Sequence, residues 1–122
     1  MKNGVKSIEK FSIESLLNQI VPNKELHTTD VENFTKECTD MIKLYAKKNH
    51  DYGDSFNKGM DAIGLPYSVG RMFDKMNRIM TLMKVKAEID DESIVDTIRD
   101  LACYSVMTVC YIKNEHIKTE KK

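Results

Sequence analysis

Glu92, Asp96 and Asp100 are the residues whose type and spacing most directly suggest chemistry. They recur every four residues and Tyr104 continues the series, so on a helix the four side chains form one stripe. Three carboxylates supply the oxygen ligands that Mg²⁺ prefers, and such an ion would bridge to substrate phosphates. The structural alternative is that Glu92 complements the helix dipole while Asp96 and Asp100 pair with cations of a neighbouring helix. Spacing alone leaves both uses open.

A basic stripe precedes the acidic one. Arg71, Lys75 and Arg78 stand at i, i+4 and i+7, beside a methionine-rich face. Arginine offers a bidentate fork to phosphate and lysine a point charge, so the stripe predicts a phosphate site. The same cations are also suitable partners for Asp96 and Asp100, and ion pairs of that kind would keep them pointed at a ligand.

A third group of candidate ligand-binding residues surrounds a glycine. It comprises Lys48, Asp51, Tyr52 and Ser55. Tyr52 or Phe56 would stack on a base, and Ser55 would reach a phosphate. The alternative is a helix that ends and turns at Gly53, with the two aromatic rings closing the core.

Hydrophobic periodicity predicts an all-α bundle of about four helices. The first covers about residues 12–20, the second runs from an Asp30 N-cap to about residue 49, the third starts near Ser68, and the fourth follows a cap at Asp90 or Asp91. Glycine and proline punctuation predicts a long loop over 50–66. No convincing period-two pattern indicates a strand.

Residues 101–112 form a charge-free run at the end of the fourth helix. Because this half is apolar almost all round, we expect it to be covered on both sides, which predicts self-association through this helix. The run is too short to span a bilayer. We expect one helical domain over residues 1–122, with flexible ends at 1–10 and 118–122.

Composition narrows the class of protein. Nineteen basic and nineteen acidic residues give zero formal net charge, which argues against binding to duplex nucleic acid. Cys38, Cys103 and Cys110 fall at apolar helical positions without a CxxC spacing, so we expect reduced, buried thiols in a cytoplasmic protein. The start of the sequence has no signal-peptide pattern. The scattered histidines suggest no zinc site.

Three motifs in order resemble the phage and bacterial family called nucleotide modification associated domain, type one. The motifs are Lys48-x-x-Asp51-Tyr52-Gly53-x-Ser55, Asp74-Lys75-x-x-Arg78-Ile79 and Glu92-x-x-x-Asp96-x-x-x-Asp100-Leu101-x-x-Tyr104. The resemblance covers about residues 31–112. It implies a small helical protein of nucleotide metabolism, often encoded by phages.

The helix carrying Glu92, Asp96 and Asp100 is also similar to the second acidic motif of MazG-like all-α nucleoside triphosphate pyrophosphohydrolases. That resemblance implies a helical bundle in which two acidic motifs on facing helices hold Mg²⁺. At the place of the first acidic motif this chain has Lys75 and Arg78. Cations there repel Mg²⁺ and attract phosphate.

These observations support three hypotheses. The first is a homo-oligomer of the host cytoplasm that binds or sequesters a nucleotide or cyclic nucleotide signal, as an anti-defence protein, with no cofactor. The ligand would contact the cations, the aromatic rings and the two aspartates named above. The second is a nucleotide hydrolase or modification enzyme in which Glu92, Asp96 and Asp100 hold Mg²⁺. The third is an interaction module without a ligand.

Overall fold

The structure, a computed structural model, describes residues 13–52, 54–85 and 91–121, with side chains described at 93–114 in the last range. All regular elements in these ranges are helical, which confirms the all-α prediction. They are α1 (13–20), a 3₁₀-helix (Lys24–Leu26), α2 (Thr29–Tyr52), α3 (Ser55–Ile63), α4 (Leu65–Lys84) and α5 (Asp91–Lys121). The expected flexible end at 1–10 lies outside the described residues, and α5 extends to Lys121, into the segment where we expected a flexible tail.

The chain divides into two compact units, Met1–Ala46 and Lys47–Lys122, with the boundary inside α2. In the first unit, Leu17 is buried and the His27 ring lies 2.7 Å from the carbonyl oxygen of Val21. The backbone N–H of Val31 donates to the hydroxyl of Thr28 at 3.2 Å. Thr28 therefore caps α2, and the predicted Asp30 cap is wrong because the helix starts earlier.

The second unit is built on the antiparallel pair α4 and α5. The inward positions of α4 repeat with alternating steps of four and three residues, as in a coiled coil: Ser68, Met72, Lys75, Ile79 and Leu82. Several buried positions carry hydroxyls, and each donates to a carbonyl of its own helix. Ser68 bonds to Leu65, Thr97 to Ser93 and Thr108 to Tyr104. These small side chains are satisfied locally, so the two helices can pack with no buried polar atom unpaired among the described residues.

The predicted long loop over 50–66 is wrong. α2 extends to Tyr52, α3 occupies Ser55–Ile63, and α4 begins at Leu65 rather than near Ser68. Gly64, at φ 90°, makes the break between α3 and α4. Gly59 serves packing inside α3, because a Cβ at this position would overlap the ring of Tyr67. The glycine that suggested a loop is therefore a site of close helix contact.

Many apolar side chains are exposed. On α2, the large apolar residues Phe34 and Ile42 are 72% and 66% exposed. The C-terminal half of α5, expected to be covered on both sides, exposes Val106, Val109 and Ile112. Within one chain the described residues bury few large hydrophobic side chains, and those few are Leu17, Met60 and Leu82.

Candidate functional site

Asp100 of α5 forms ion pairs with two lysines, one from α4 and one from α2. Lys75 Nζ of α4 lies 3.1 Å from Asp100 Oδ2, and Lys48 Nζ near the end of α2 lies 3.6 Å from Asp100 Oδ1. The side chains of Lys75 and Asp100 are each 29% exposed. Partial exposure keeps the ion pairs screened by water, so their contribution to stability is small and the lysines remain accessible to an anion.

Three aromatic rings meet next to this cluster. The Phe56 ring of α3 lies 5.9 Å from that of Tyr67 on α4 and 6.1 Å from that of Tyr104 on α5, between ring centroids. All three residues are half-buried. The centroid distances and tilted planes fall in the range of favourable aromatic contacts. The cluster therefore joins three helices and leaves part of each ring open to solvent.

Arg71 lies against the aromatic cluster from the exposed side of α4. Its guanidinium carbon is 5.2 Å from the centroid of the Tyr67 ring, within the range of a cation–π contact. A hydrogen bond to Tyr67 and the charge of that phenol raise the pKa of Arg71 above its ordinary value, and Tyr104 and Asp74 act in the same direction. Arg71 thus keeps its charge and is positioned against the Tyr67 ring.

The cations and the rings occupy consecutive turns of the same two helices. Lys75 is four residues after Arg71 on α4, and Asp100 is four residues before Tyr104 on α5, so each pair lies on neighbouring turns. Lys48, Arg71 and Lys75 outnumber Asp100 and Asp74, the two carboxylates named beside them. The result is a positively charged surface beside aromatic rings, which suits a ligand that carries phosphate and a planar base.

The other predicted ligand-binding residues make no ion pair or ring contact with this cluster in the part of the chain that the structure describes. Asp96 pairs with Arg99 at 3.5 Å, and its side chain is 70% exposed. Tyr52 is also 70% exposed, and Asp51 and Ser55 are exposed. Arg78 is exposed one turn beyond Lys75 and makes no ion pair with another residue that the structure describes. The structure thus brings Lys48, Arg71, Lys75, Asp100 and Tyr104 together.

The predicted magnesium ligands do not form a cluster within the described part of the chain. No group of three or more His, Cys, Asp or Glu side chains there is arranged to hold a metal. Asp100 forms ion pairs with two lysines, and Asp96 forms an ion pair with Arg99. The side chain of Glu92 lies outside the described residues. The structural alternative for Asp100 and Lys75, an ion pair between α4 and α5, is observed.

Cys103 adjoins the ion cluster. Burial raises the pKa of its thiol, Asp100 raises it further, and Lys48 and Arg99 oppose these effects. The thiol is therefore protonated at neutral pH and is a poor nucleophile. Cys38, Cys103 and Cys110 are all free, but none is fully buried as we expected: Cys38 and Cys103 are half-buried and Cys110 is exposed.

Tyr67 is the main site residue that sequence reasoning missed. It stands four residues before Arg71, which is the spacing of a helical contact. Because the predicted helix starts near Ser68, Tyr67 falls outside it in the prediction. The signal for the earlier start was Pro66, because proline is favoured in the first turn of a helix.

Comparison with known proteins finds a match to one protein family. The family model described as nucleotide modification associated domain 1 matches residues 48–112, a range that contains the lysines, the rings and the aspartates described above. No curated protein and no solved structure matches the chain. None of the helices in the described ranges is both long and apolar enough to cross a membrane.

Proposed function

Because the chain belongs to the nucleotide modification associated domain 1 family, we propose that it binds a nucleotide at the surface formed by α4 and α5 and does not convert it. The observation that supports this most is the position of Lys75 and Arg71. Two cations on successive turns of one helix lie beside a cluster of three partly exposed aromatic rings. Nucleotides carry the two chemical groups that such a surface recognises.

The phosphate contacts are assigned to Lys75, Arg71 and Lys48. Arg71 offers two parallel N–H donors, while the lysines act as point charges. Asp100 orients both lysines and would also accept a hydrogen bond from a ribose hydroxyl. Arg78, exposed one turn away on the same helix, extends the positive surface toward a second phosphate.

We assign binding of the nucleotide base to the aromatic cluster of Phe56, Tyr67 and Tyr104. The Tyr67 ring contacts Arg71, and Tyr67 and Tyr104 are both half-buried, so a base would stack on the exposed part of this cluster. Stacking on an aromatic side chain contributes about 1–3 kcal/mol per base and tolerates every base. Tyr52, Asp51 and Ser55, at the junction of α2 and α3, would contact the ligand from its edge. Asp96 is assigned a supporting role because it pairs with Arg99.

The proposed role is sequestration of a nucleotide or cyclic nucleotide signal by a homo-oligomer. We place this protein in the phage setting that its family resemblance implies, acting against a defence signal in the host cytoplasm. Binding without turnover is favoured because Lys75 and Lys48 engage the carboxylate of Asp100, which a metal-dependent hydrolase would need for its ion. Hydrolysis by a MazG-like mechanism remains the competing function.

The experiment is ligand release from the purified protein. The protein is incubated with ATP, GTP, cyclic dinucleotides and cyclic ADP-ribose isomers, with and without Mg²⁺, then washed, heat-denatured and analysed by mass spectrometry. We expect one class of nucleotide to be recovered intact in both conditions and to raise the unfolding temperature. At a ligand concentration one hundred times the dissociation constant, the stabilisation is about 2.7 kcal/mol. Recovery of a product that forms only with Mg²⁺ would support the hydrolase instead, and no binding of any nucleotide would contradict both.

A further inference from the structure

The α4–α5 pair carries a second apolar face that the described residues leave exposed. On α4 it consists of residues at alternating steps of four and three: Val69, Phe73, Met76, Met80 and Met83. Each stands one position after a residue of the inward face, which corresponds to a rotation of about 100° around the helix. All five are between 46% and 64% exposed. A helix with two adjoining coiled-coil faces is suited to contact two partners.

A row of exposed apolar residues on α5 lies on the same side of the pair. Ile98, Val109 and Ile112 are 48–50% exposed and follow the same alternating spacing, with Ala102 and Ser105 between them. Ser105 Oγ lies 3.4 Å from Met72 Sδ, and this contact joins the edges of the two helices on that side. The two rows therefore form one surface, two helices wide, which we call the apolar face.

The candidate ligand site lies on the other side of the same pair. Asp100 and Ser105 differ by five residues, which places them about 140° apart around α5. Arg71 and Met76 are separated by the same angle on α4. Contacts of Asp100 with Lys75 and of Ser105 with Met72 therefore mark opposite edges of the helix pair. A partner on the apolar face would leave the cations and rings accessible.

We infer that the apolar face binds the apolar face of a second copy of this chain, so that two α4–α5 pairs form a four-helix bundle. With about half of each side chain exposed, its eight large residues present an area on the order of 700 Å², near the roughly 800 Å² that each partner contributes to a standard interface. The face contains no charged residue at any of its ten positions. A surface without charged residues can be complementary to itself under a two-fold axis.

The composition of the face also fits association with a second copy. Its α4 row has three methionines, whose flexible side chains fill irregular gaps between packed helices. Its α5 row has the small residues Ala102 and Ser105 at the centre, which leave room for a bulky side chain such as Phe73 of the other copy. This inference depends on contacts within the helix pair and not on nucleotide binding.

The test is the mass of the protein in solution, measured by light scattering after size-exclusion chromatography and by sedimentation at tens of micromolar. We expect the wild type at twice the mass of one chain or a higher even multiple. Phe73→Glu and Met80→Glu, each tested separately, should halve that mass or lower it further, because either change places a charge in the interface. The matched control is Ile63→Glu, because Ile63 is 62% exposed on α3, the helix whose Phe56 packs on Tyr67 and Tyr104 on the side of the candidate ligand site.

Circular dichroism separates loss of association from loss of folding. A smaller species that keeps its helical signal in either variant supports the inference. A monomeric wild type would overturn it, as would a wild-type oligomer that both face variants leave intact. Dissociation by Ile63→Glu to the same extent as by Phe73→Glu would also overturn it, because the effect would then not be specific to this face.

Discussion

Lys75 Nζ lies 3.1 Å from Asp100 Oδ2, and this ion pair connects α4 to α5 at the centre of the candidate site. The second oxygen of the same carboxylate faces Lys48 at 3.6 Å. One carboxylate therefore pairs with two ammonium groups, so the cluster of three side chains keeps a net positive charge. An arrangement of this kind positions cations for an anionic ligand. A magnesium site needs the opposite balance, with carboxylates in excess.

Replacing Asp100 by Asn distinguishes these two uses of the acidic stripe. If the carboxylate only positions lysines, asparagine keeps an acceptor oxygen for them but removes the negative charge that repels the bound phosphate, so binding should strengthen. A gain of about 1 kcal/mol, or roughly fivefold in affinity, is expected at low salt, and it should shrink as salt is added. Titration calorimetry with the nucleotide recovered from the release experiment measures it.

Asp96→Asn is the matched control, because Asp96 pairs with Arg99 and is more exposed. We expect it to change affinity little. If Asp100→Asn instead abolishes a Mg²⁺-dependent activity, Asp100 is a metal ligand and the binding proposal is wrong.

Gly59→Ala should destabilise the second unit. The new methyl group would overlap the Tyr67 ring, and overpacking of this kind costs about 1–3 kcal/mol. Urea unfolding followed by circular dichroism measures the loss. Adding Tyr67→Leu should recover part of it, because the smaller side chain vacates the space.

Gly70→Ala provides the control for the loss of glycine itself. Gly70 lies inside α4 with open space around its Cα, so alanine should stabilise the helix by about 0.5–1 kcal/mol. Equal effects of the two substitutions would contradict the role assigned to the contact between Gly59 and Tyr67.

Periodicity was sufficient to predict the helices that carry the site. The four-residue spacing of Asp96, Asp100 and Tyr104 and the i, i+4 spacing of Arg71 and Lys75 were correctly read as helical stripes. The motif resemblance to the family is confirmed by the match over residues 48–112. Spacing alone is sufficient to predict these stripes, because a helix places residues four apart on the same side whatever packs against it.

The segment around α3 could not be read in the same way. Gly59 and Gly64 both suggested a loop, yet only Gly64 adopts a conformation that favours glycine. The role of Gly59 depends on its contact with Tyr67 of the neighbouring helix α4. A contact between two helices leaves no pattern in the sequence around either residue. For the same reason spacing could not decide whether Asp100 would face a metal or Lys75.

Tyr104→Leu should weaken nucleotide binding, whereas Tyr104→Phe should leave it nearly unchanged. A base stacked on the ring loses about 1–3 kcal/mol when the ring is removed, and phenylalanine keeps the aromatic surface. Titration calorimetry gives the affinity of each variant. Thermal unfolding without ligand corrects for the lost contact with Phe56. Equal affinities for Tyr104→Leu and Tyr104→Phe would show that the ring does not stack on the base.

Cys103 should react with thiol reagents more slowly than Cys110 and gain reactivity only at alkaline pH. Burial raises the pKa of the Cys103 thiol, so the thiolate that reacts forms later as pH rises. The same shift means that folding favours the protonated thiol, and this contribution to stability is lost as pH rises through the raised pKa. Alkylation followed by peptide mass spectrometry between pH 7 and 10 measures both rates.

Lys48→Ala should slow the alkylation of Cys103 further, because Lys48 opposes the rise in its pKa. Cys110 is the internal reference, since it is exposed and remote in sequence from the lysine. Faster modification of Cys103 than of Cys110 at pH 7 would contradict the assignment of a protonated, sheltered thiol.

The most direct test of the central claim is the affinity of Lys75→Gln for the nucleotide that the wild type binds, measured by titration calorimetry without Mg²⁺. A hydrogen bond to a charged group contributes about 1.5–3 kcal/mol, so the affinity should fall roughly 10- to 100-fold while Lys48 still pairs with Asp100 and the fold is retained. Lys84→Gln, an exposed lysine in the last turn of the same helix, should bind like the wild type. Unchanged affinity in a folded Lys75→Gln variant would contradict the claim that this surface binds the phosphate.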